Sequence, residues 1–164
     1  MLESYGEKEP TYFGPPKKRQ MFLEWLNKLK HEVHEDGSVS VDGKVNLTDL
    51  DLVRIPFKFR VVEGYFYCGY NNLISLEGAP IDVGGDFNCR DNYLASLKGA
   101  PKEVRGDFYC DNNLISLEGA PEVIGGLFVS NQFSDEEYRA FARKRKYVDG
   151  KLDKELDVDL GDFS

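Results

Sequence analysis

The sequence predicts an α/β solenoid: short parallel strands stacked in successive coils, a back side without helices, and a helix covering each end. Three observations predict it. A segment of 20–21 residues occurs three times in near-identical form in the middle of the chain. Within each copy an apolar–polar–apolar triplet reads as a short, half-buried strand. On either side of the repeats lies a stretch with helical apolar spacing or a helix-start signal.

The copies run GYFYCGYNNLISLEGAPIDVG from Gly64, GDFNCRDNYLASLKGAPKEVR from Gly85 and GDFYCDNNLISLEGAPEVIG from Gly106. Phe66 and Phe87 are 21 apart, as are Cys68 and Cys89, Leu76 and Leu97, and Pro80 and Pro101. The third copy is one residue shorter between Cys110 and Leu114, so either Asn112 or Asn113 takes the place of Asn71 and Asn92. A degenerate earlier copy starts at Gly43, with Val45 for Phe66, Leu47 for Cys68, Leu52 for Leu73, Ile55 for Leu76 and Val62 for Val83. A decayed fifth begins at Gly125, where either Leu127 and Val129 or Phe128 and Ser130 point inward. Atypical outer copies are what a solenoid requires, because its ends have no neighbour to cover them.

The chemistry within one copy is readable. Phe66 and Cys68 face the core and Tyr67 faces out. Asn71 follows where the chain must turn, and its amide can bond backbone groups of neighbouring coils in a ladder. Leu73 and Leu76 return to the core. Gly78-Ala79-Pro80 then forces a tight return without a helix, since proline fixes φ and lacks a donor. Gly84-Gly85 closes the coil. The back side is therefore expected to be extended or polyproline-like. Cys68, Cys89 and Cys110 fall in one inward column, about 4.8 Å apart, as small buried hydrophobes. They lack the close pairing and fourth ligand of a zinc site, and no histidine lies in the repeats.

The motif F-x-C-x-x-N-x-L-x-S-L resembles the leucine-rich-repeat family, standing in place of the usual L-x-L-x-x-N-x-L. The short period and the back-side proline resemble the shortest repeats of that family, those of bacterial effector proteins. The wording SLEGAP…VGGDF, with GDFYC in the next copy and Ser134 to Tyr138 downstream, is similar to a group of short leucine-rich-repeat proteins of tailed bacteriophages. The resemblance covers about residues 39–133. It implies a leucine-rich-repeat-like right-handed solenoid with one short parallel sheet. It also implies a phage product that binds and antagonises a protein or defence complex of the host.

Four regions follow. Residues 1–42 form an N-terminal arm, a capping helix and a capping strand. Residues 43–133 form the solenoid, 134–148 a C-terminal capping helix and 149–164 an acidic tail. The first helix is expected over residues 17–34, after Pro15-Pro16, with Phe22, Trp25, Leu26, Leu29 and Val33 at helical spacing and Met21 and Leu23 widening the apolar face. Asp36-Gly37 makes a turn, and Val39 and Val41 alternate into a strand. Ser134 and Glu137 form a capping box for a helix through about Lys146, with Tyr138 and Phe141 against the last coil. The cluster Arg143-Lys144-Arg145-Lys146 suits the negative end of that helix better than a nucleic acid. In the tail, residues 156–160 alternate with period two. They either add as a strand or remain unstructured.

Charge narrows the partner. The chain carries 21 basic and 29 acidic residues, a net charge of −8. Residues 37–133 carry 8 and 13 of them, and residues 149–164 carry 2 and 6. Direct nucleic-acid binding is not expected of such a surface; a protein with a basic surface is the natural complement. No stretch reaches the ~20 apolar residues of a membrane span, and no secretory leader is visible, so a cytoplasmic location is expected. Three cysteines without a leader argue against disulfides.

Catalysis has no visible seat and no cofactor is expected. His31 and His34 are the only histidines and read as a solvated helix face. The Gly-Gly pairs precede strands, the wrong place for a phosphate loop, and no two carboxylates stand out as acid and base. What remains is the outward side of the strands. Lys44, Asn46 and Thr48 lie there, then Tyr65, Tyr67 and Tyr70, then Asp86, Asn88 and Arg90, then Asp107, Tyr109 and Asp111. Tyrosines beside acids anchor a basic protein surface well, because tyrosine buries a large area at little entropic cost. The expected protein-binding residues are therefore Tyr65, Tyr67, Asp86, Asn88, Arg90, Asp107, Tyr109 and Asp111.

Overall fold

The computed structural model describes residues 16–148. The arm before them and the tail 149–164 lie outside the described residues, as do the side chains of Phe22, Arg145 and Lys146. The chain is a solenoid of about four turns built from two parallel sheets. One sheet holds β3 (Val45–Asn46), β5 (Phe66–Tyr67), β7 (Phe87–Asn88), β9 (Phe108–Tyr109) and β11 (Phe128–Val129). The other holds β1 (His31–Val33), β2 (Val39–Val41), β4 (Phe59–Val62), β6 (Asp82–Val83), β8 (Glu103–Val104) and β10 (Val123–Ile124). Every pairing is parallel except that of β1 with β2.

This corrects the expected class. The back side is extended as anticipated, but it forms a second hydrogen-bonded sheet, so the described chain is mainly β rather than α/β. Backbone groups that would be bare on a polyproline-like return are paired instead with the next coil. The expected helix 17–34 is also too long: α1 spans Pro16–Lys28. His31–Val33 pairs antiparallel with β2 because the outer edge of that strand would otherwise be unpaired. Gly37, at φ 77°, makes the turn, with the His34 amide donating to Ser38 O at 2.8 Å. On α1, Leu26 is fully buried and Met21 is exposed; Val33, on β1, is exposed too, and neither Met21 nor Val33 joins the core.

Register is carried by the inward residues. Val45, Phe66, Phe87, Phe108 and Phe128 pair in succession along the first sheet. The phenyl rings of Phe66, Phe87, Phe108 and Phe128 stack at 5.6, 5.1 and 5.7 Å between centroids. Phe59 meets Phe66 edge-on at 5.1 Å at one end of this column, and Tyr138 stacks on Phe128 at 4.8 Å at the other. The fifth copy is thereby settled: Phe128 faces in and Leu127 faces out. Cys68, Cys89 and Cys110 form a second buried column of free thiols, whose burial pushes Cys110 up to about 12.

The asparagine ladder is present. The Asn71 amide donates to the carbonyls of Leu47, Cys68 and Gly69 at 2.8–3.1 Å, and its Oδ1 accepts from Leu50 and Leu52. Asn92 donates to Cys68, Cys89 and Arg90 and accepts from Leu73. In the shorter copy Asn112 takes the position, donating to Cys89 O at 2.8 Å, and Asn113 is exposed. The missing residue has a physical meaning. Tyr70 and Asp91, just before the ladder asparagine, sit at φ 55° and 51°. The third copy lacks that left-handed position, the least favourable one for a side chain.

Gly78, Gly99 and Gly119 open the Gly-Ala-Pro turns at φ 94°, 85° and 82°, each against backbone of the coil before. Any side chain there meets both the strain and the neighbour. At the far end α2 (Asp135–Val148) begins with the expected capping box: Ser134 Oγ accepts from the Glu137 amide at 3.1 Å and Glu137 Oε2 from the Ser134 amide at 2.7 Å. The buried Tyr138 donates its hydroxyl to Pro121 O at 3.1 Å.

Candidate protein-binding face

The outward side of the first sheet forms three columns. Each follows from strand alternation: with Phe66 and Cys68 turned inward, the residues at 65, 67 and 69 must face out. Tyr67, Asn88 and Tyr109 pair directly across neighbouring strands. Tyr65, Asp86 and Asp107 precede them, and Gly69, Arg90 and Asp111 follow. The structure therefore brings all eight expected residues to one face. Tyr70, at the corner beyond it, is 57% exposed.

Two aromatic clusters dominate the face. The rings of Tyr65 and Tyr67 stack at 4.1 Å and 18°, with Lys44 Nζ 5.3 Å above Tyr65. Burial, with Asp86 and Tyr65 nearby, raises the pKa of Tyr67, so its hydroxyl stays protonated. In the second cluster the Arg90 guanidinium lies 4.5 Å over the Tyr109 ring and 2.5 Å from Asp111 Oδ2. Tyr109 donates to Asp107 Oδ2 at 2.9 Å, which raises the phenol and helps to lower the carboxyl.

The acids play a part that alternation alone does not show. Asp86 Oδ1 accepts from the Asp107 amide at 2.8 Å, and Asp107 Oδ1 accepts from the Leu127 amide at 2.8 Å. Each carboxylate thus ties its own coil to the next, and the Leu127 amide is the main reason that the Asp107 pKa is low. Asn88 Oδ1 likewise accepts from the Arg90 amide at 3.0 Å. Asp86, Asp107 and Asn88 are partly structural residues, while the rings of Tyr65, Tyr67 and Tyr109 remain the groups with area to offer.

The histidines do not lie on a helix. His31 Nδ1 donates to Leu29 O at 2.9 Å, and His34 Nε2 is 2.8 Å from Ser40 Oγ. An open groove of about 650 Å³ runs past Lys30, His31, Glu32, Asp42 and Glu63, where Lys30 and Asp42 pair at 2.6 Å. Among the described residues no group of three or more His, Cys, Asp or Glu could hold a metal ion, and no helix is long and apolar enough to cross a membrane.

A second exposed feature went unrecognised in the sequence. Val53, Ile74 and Ile115 are 40%, 75% and 83% exposed, and Ala95 between the last two is also exposed. They occupy the same position of four successive coils, one after the buried leucines at 52, 73, 94 and 114. The signal was available: an outward turn position that is apolar in every copy. Comparison of the chain with protein-family models, with curated proteins and with solved structures gives no match.

Proposed function

We propose that the protein is a non-catalytic binding module of leucine-rich-repeat type that captures a protein with a basic surface through the tyrosine-bearing strand face. The observation that carries this reading is the pair of aromatic clusters, Tyr65 on Tyr67 and Tyr109 under Arg90, held outward by strands whose other side is dry. Rings fixed by stacking lose little freedom on binding, and the acids around them favour cationic partners. The likeness of the SLEGAP repeats to those of short phage proteins supports a role in the host bacterial cytoplasm, antagonising a host protein or defence complex. Helices at the two ends would serve as the covers that a short solenoid needs.

Affinity capture from bacterial lysate with the full chain and with the double variant Tyr67→Ala/Tyr109→Ala tests the face. The expected result is a specific protein retained by the first and reduced at least tenfold with the second. Equal recovery by both contradicts the assignment.

The net charge of −8 favours a second reading, an acidic decoy that occupies the DNA site of a nucleic-acid-binding enzyme. Added duplex DNA then displaces the captured protein; retention in its presence counts against the decoy.

A further inference from the structure

We propose that the exposed aliphatic row Val53–Ile74–Ala95–Ile115 is a second docking surface, shaped for a cationic amphipathic helix of a partner protein. The row does not depend on the tyrosine face, so either surface can fail without the other. Ile74 and Ile115 are turned mostly to water, Ala95 is exposed, and Val53 at 40% is partly so, coil after coil. A single exposed apolar side chain is ordinary; an aligned set of them marks a contact surface. Tyr93, 64% exposed, adds an aromatic edge beside Ala95.

The spacing selects the occupant's shape. Coils in a parallel stack are about 4.8 Å apart, so the four positions span about 14 Å. One turn of an α-helix rises 5.4 Å, so a helix lying along the solenoid axis offers close to one side chain per coil over about three turns. Ala95, the small member between two isoleucines, leaves a dip for one large apolar side chain. An extended strand repeats its side chains every ~6.6 Å and slips out of step with the coils.

Charge selects the occupant's chemistry. Asp51 and Asp91 precede the row in their coils, and Glu77 and Glu118 follow it with Lys98 at the same position of the coil between them, all exposed. The cations nearby are Arg54 at the first coil and Lys98, which lies 3.3 Å from Glu118. An apolar stripe around which four acids outnumber two bases fits a helix with leucines on one face and lysines or arginines on its flanks. A second copy of this chain, face to face, sets acid against acid. The chain's own residues 149–164, with 6 acidic and 2 basic groups, meet the same repulsion.

The test is an NMR titration of the full-length, isotope-labelled protein with a synthetic helical peptide of about three turns, leucine on one face and lysine on the flanks. A control peptide of the same composition has its leucines scattered around the helix. The expected result is shifts centred on the amides of Ile74, Tyr93, Ala95 and Ile115. Affinity is expected to fall at least tenfold for the scattered peptide and, separately, for Ile74→Ser/Ile115→Ser. Equal binding of the two peptides means general attraction to an acidic surface and overturns the proposal, as does unchanged affinity of the double variant. Shifts confined to the tyrosine face, a dimer in sedimentation that the double variant abolishes, or a response only after removal of residues 149–164 also overturn it.

Discussion

The tyrosine face and the aliphatic row stand on the same coils but are occupied differently. On the strand face several polar groups already have partners within the molecule: Tyr109 holds Asp107, Arg90 lies against Asp111, and Asp86 and Asp107 hold the amides of the next coil. On the row, aliphatic carbon meets water with nothing over it in the described chain. On the proposed reading the first surface is ordered before any partner arrives, and what it would bring to binding is low entropic cost and steering. The second carries exposed hydrophobic area, and what it would bring to the proposed docking is desolvation. One stack of coils thus supports two surfaces with different physics, and substitutions separate them.

The largest effect breaks both at once. Asn92→Ala removes an amide that serves four backbone groups of two coils, all buried or nearly so. Leaving such groups unpaired costs about 1–3 kcal/mol each, so a loss of about 3 kcal/mol or more is expected in urea unfolding. Both surfaces then lose their register.

Tyr67→Ala/Tyr109→Ala comes next and touches one surface only. Partner capture is expected to fall tenfold or more, about 1.4 kcal/mol, while the isoleucine row still binds the amphipathic peptide. Smaller again is the effect of Ile74→Ser/Ile115→Ser on stability. Both side chains are mostly in water, so unfolding is expected to shift by less than about 0.5 kcal/mol. A larger shift shows that the row is internal packing rather than a free surface.

The smallest effect is acid titration, which reaches the strand face and spares the row. The Asp107 pKa is held below its ordinary value of 3.8 by the Leu127 amide and then the Tyr109 hydroxyl. Its contribution is therefore complete above that ordinary value and is lost as pH falls through the lower folded one. Asp135 behaves alike: burial opposes its ionisation, but the Phe128 amide and Arg139 outweigh that and lower it. NMR should show the Leu127 and Phe128 amides titrating with midpoints below 3.8, with Ile74 and Ile115 unmoved.

How much of this was legible follows from how often each feature is repeated. Phe, Cys, Asn and Leu recur at one period, and recurrence converts a weak two-residue alternation into a reliable statement of what faces in. The columns and the ladder were readable for that reason. The second sheet was not, because Asp82–Val83 and Glu103–Val104 are too short to show alternation and look like any turn around a lone valine. Helix α1 was read too far because Leu26, Leu29 and Val33 continue a helical spacing that the pairing of His31–Val33 with β2 overrides. For the candidate face, alternation told which way Asp86 and Asp107 leave the strand. It could not tell that their carboxylates bend back to amides of the following coil, a contact 20–21 residues away. The row escaped notice because isoleucine in an apolar repeat looks like core until burial is known.

Thiol labelling of the native protein bears most directly on the stacked coils. Cys68, Cys89 and Cys110 are buried in one column, so a small alkylating reagent at neutral pH should leave all three unmodified by mass until denaturant is added, and then modify all three together. Rapid modification of the three under native conditions would place the strands' inward side in water, and neither surface described above would survive that result.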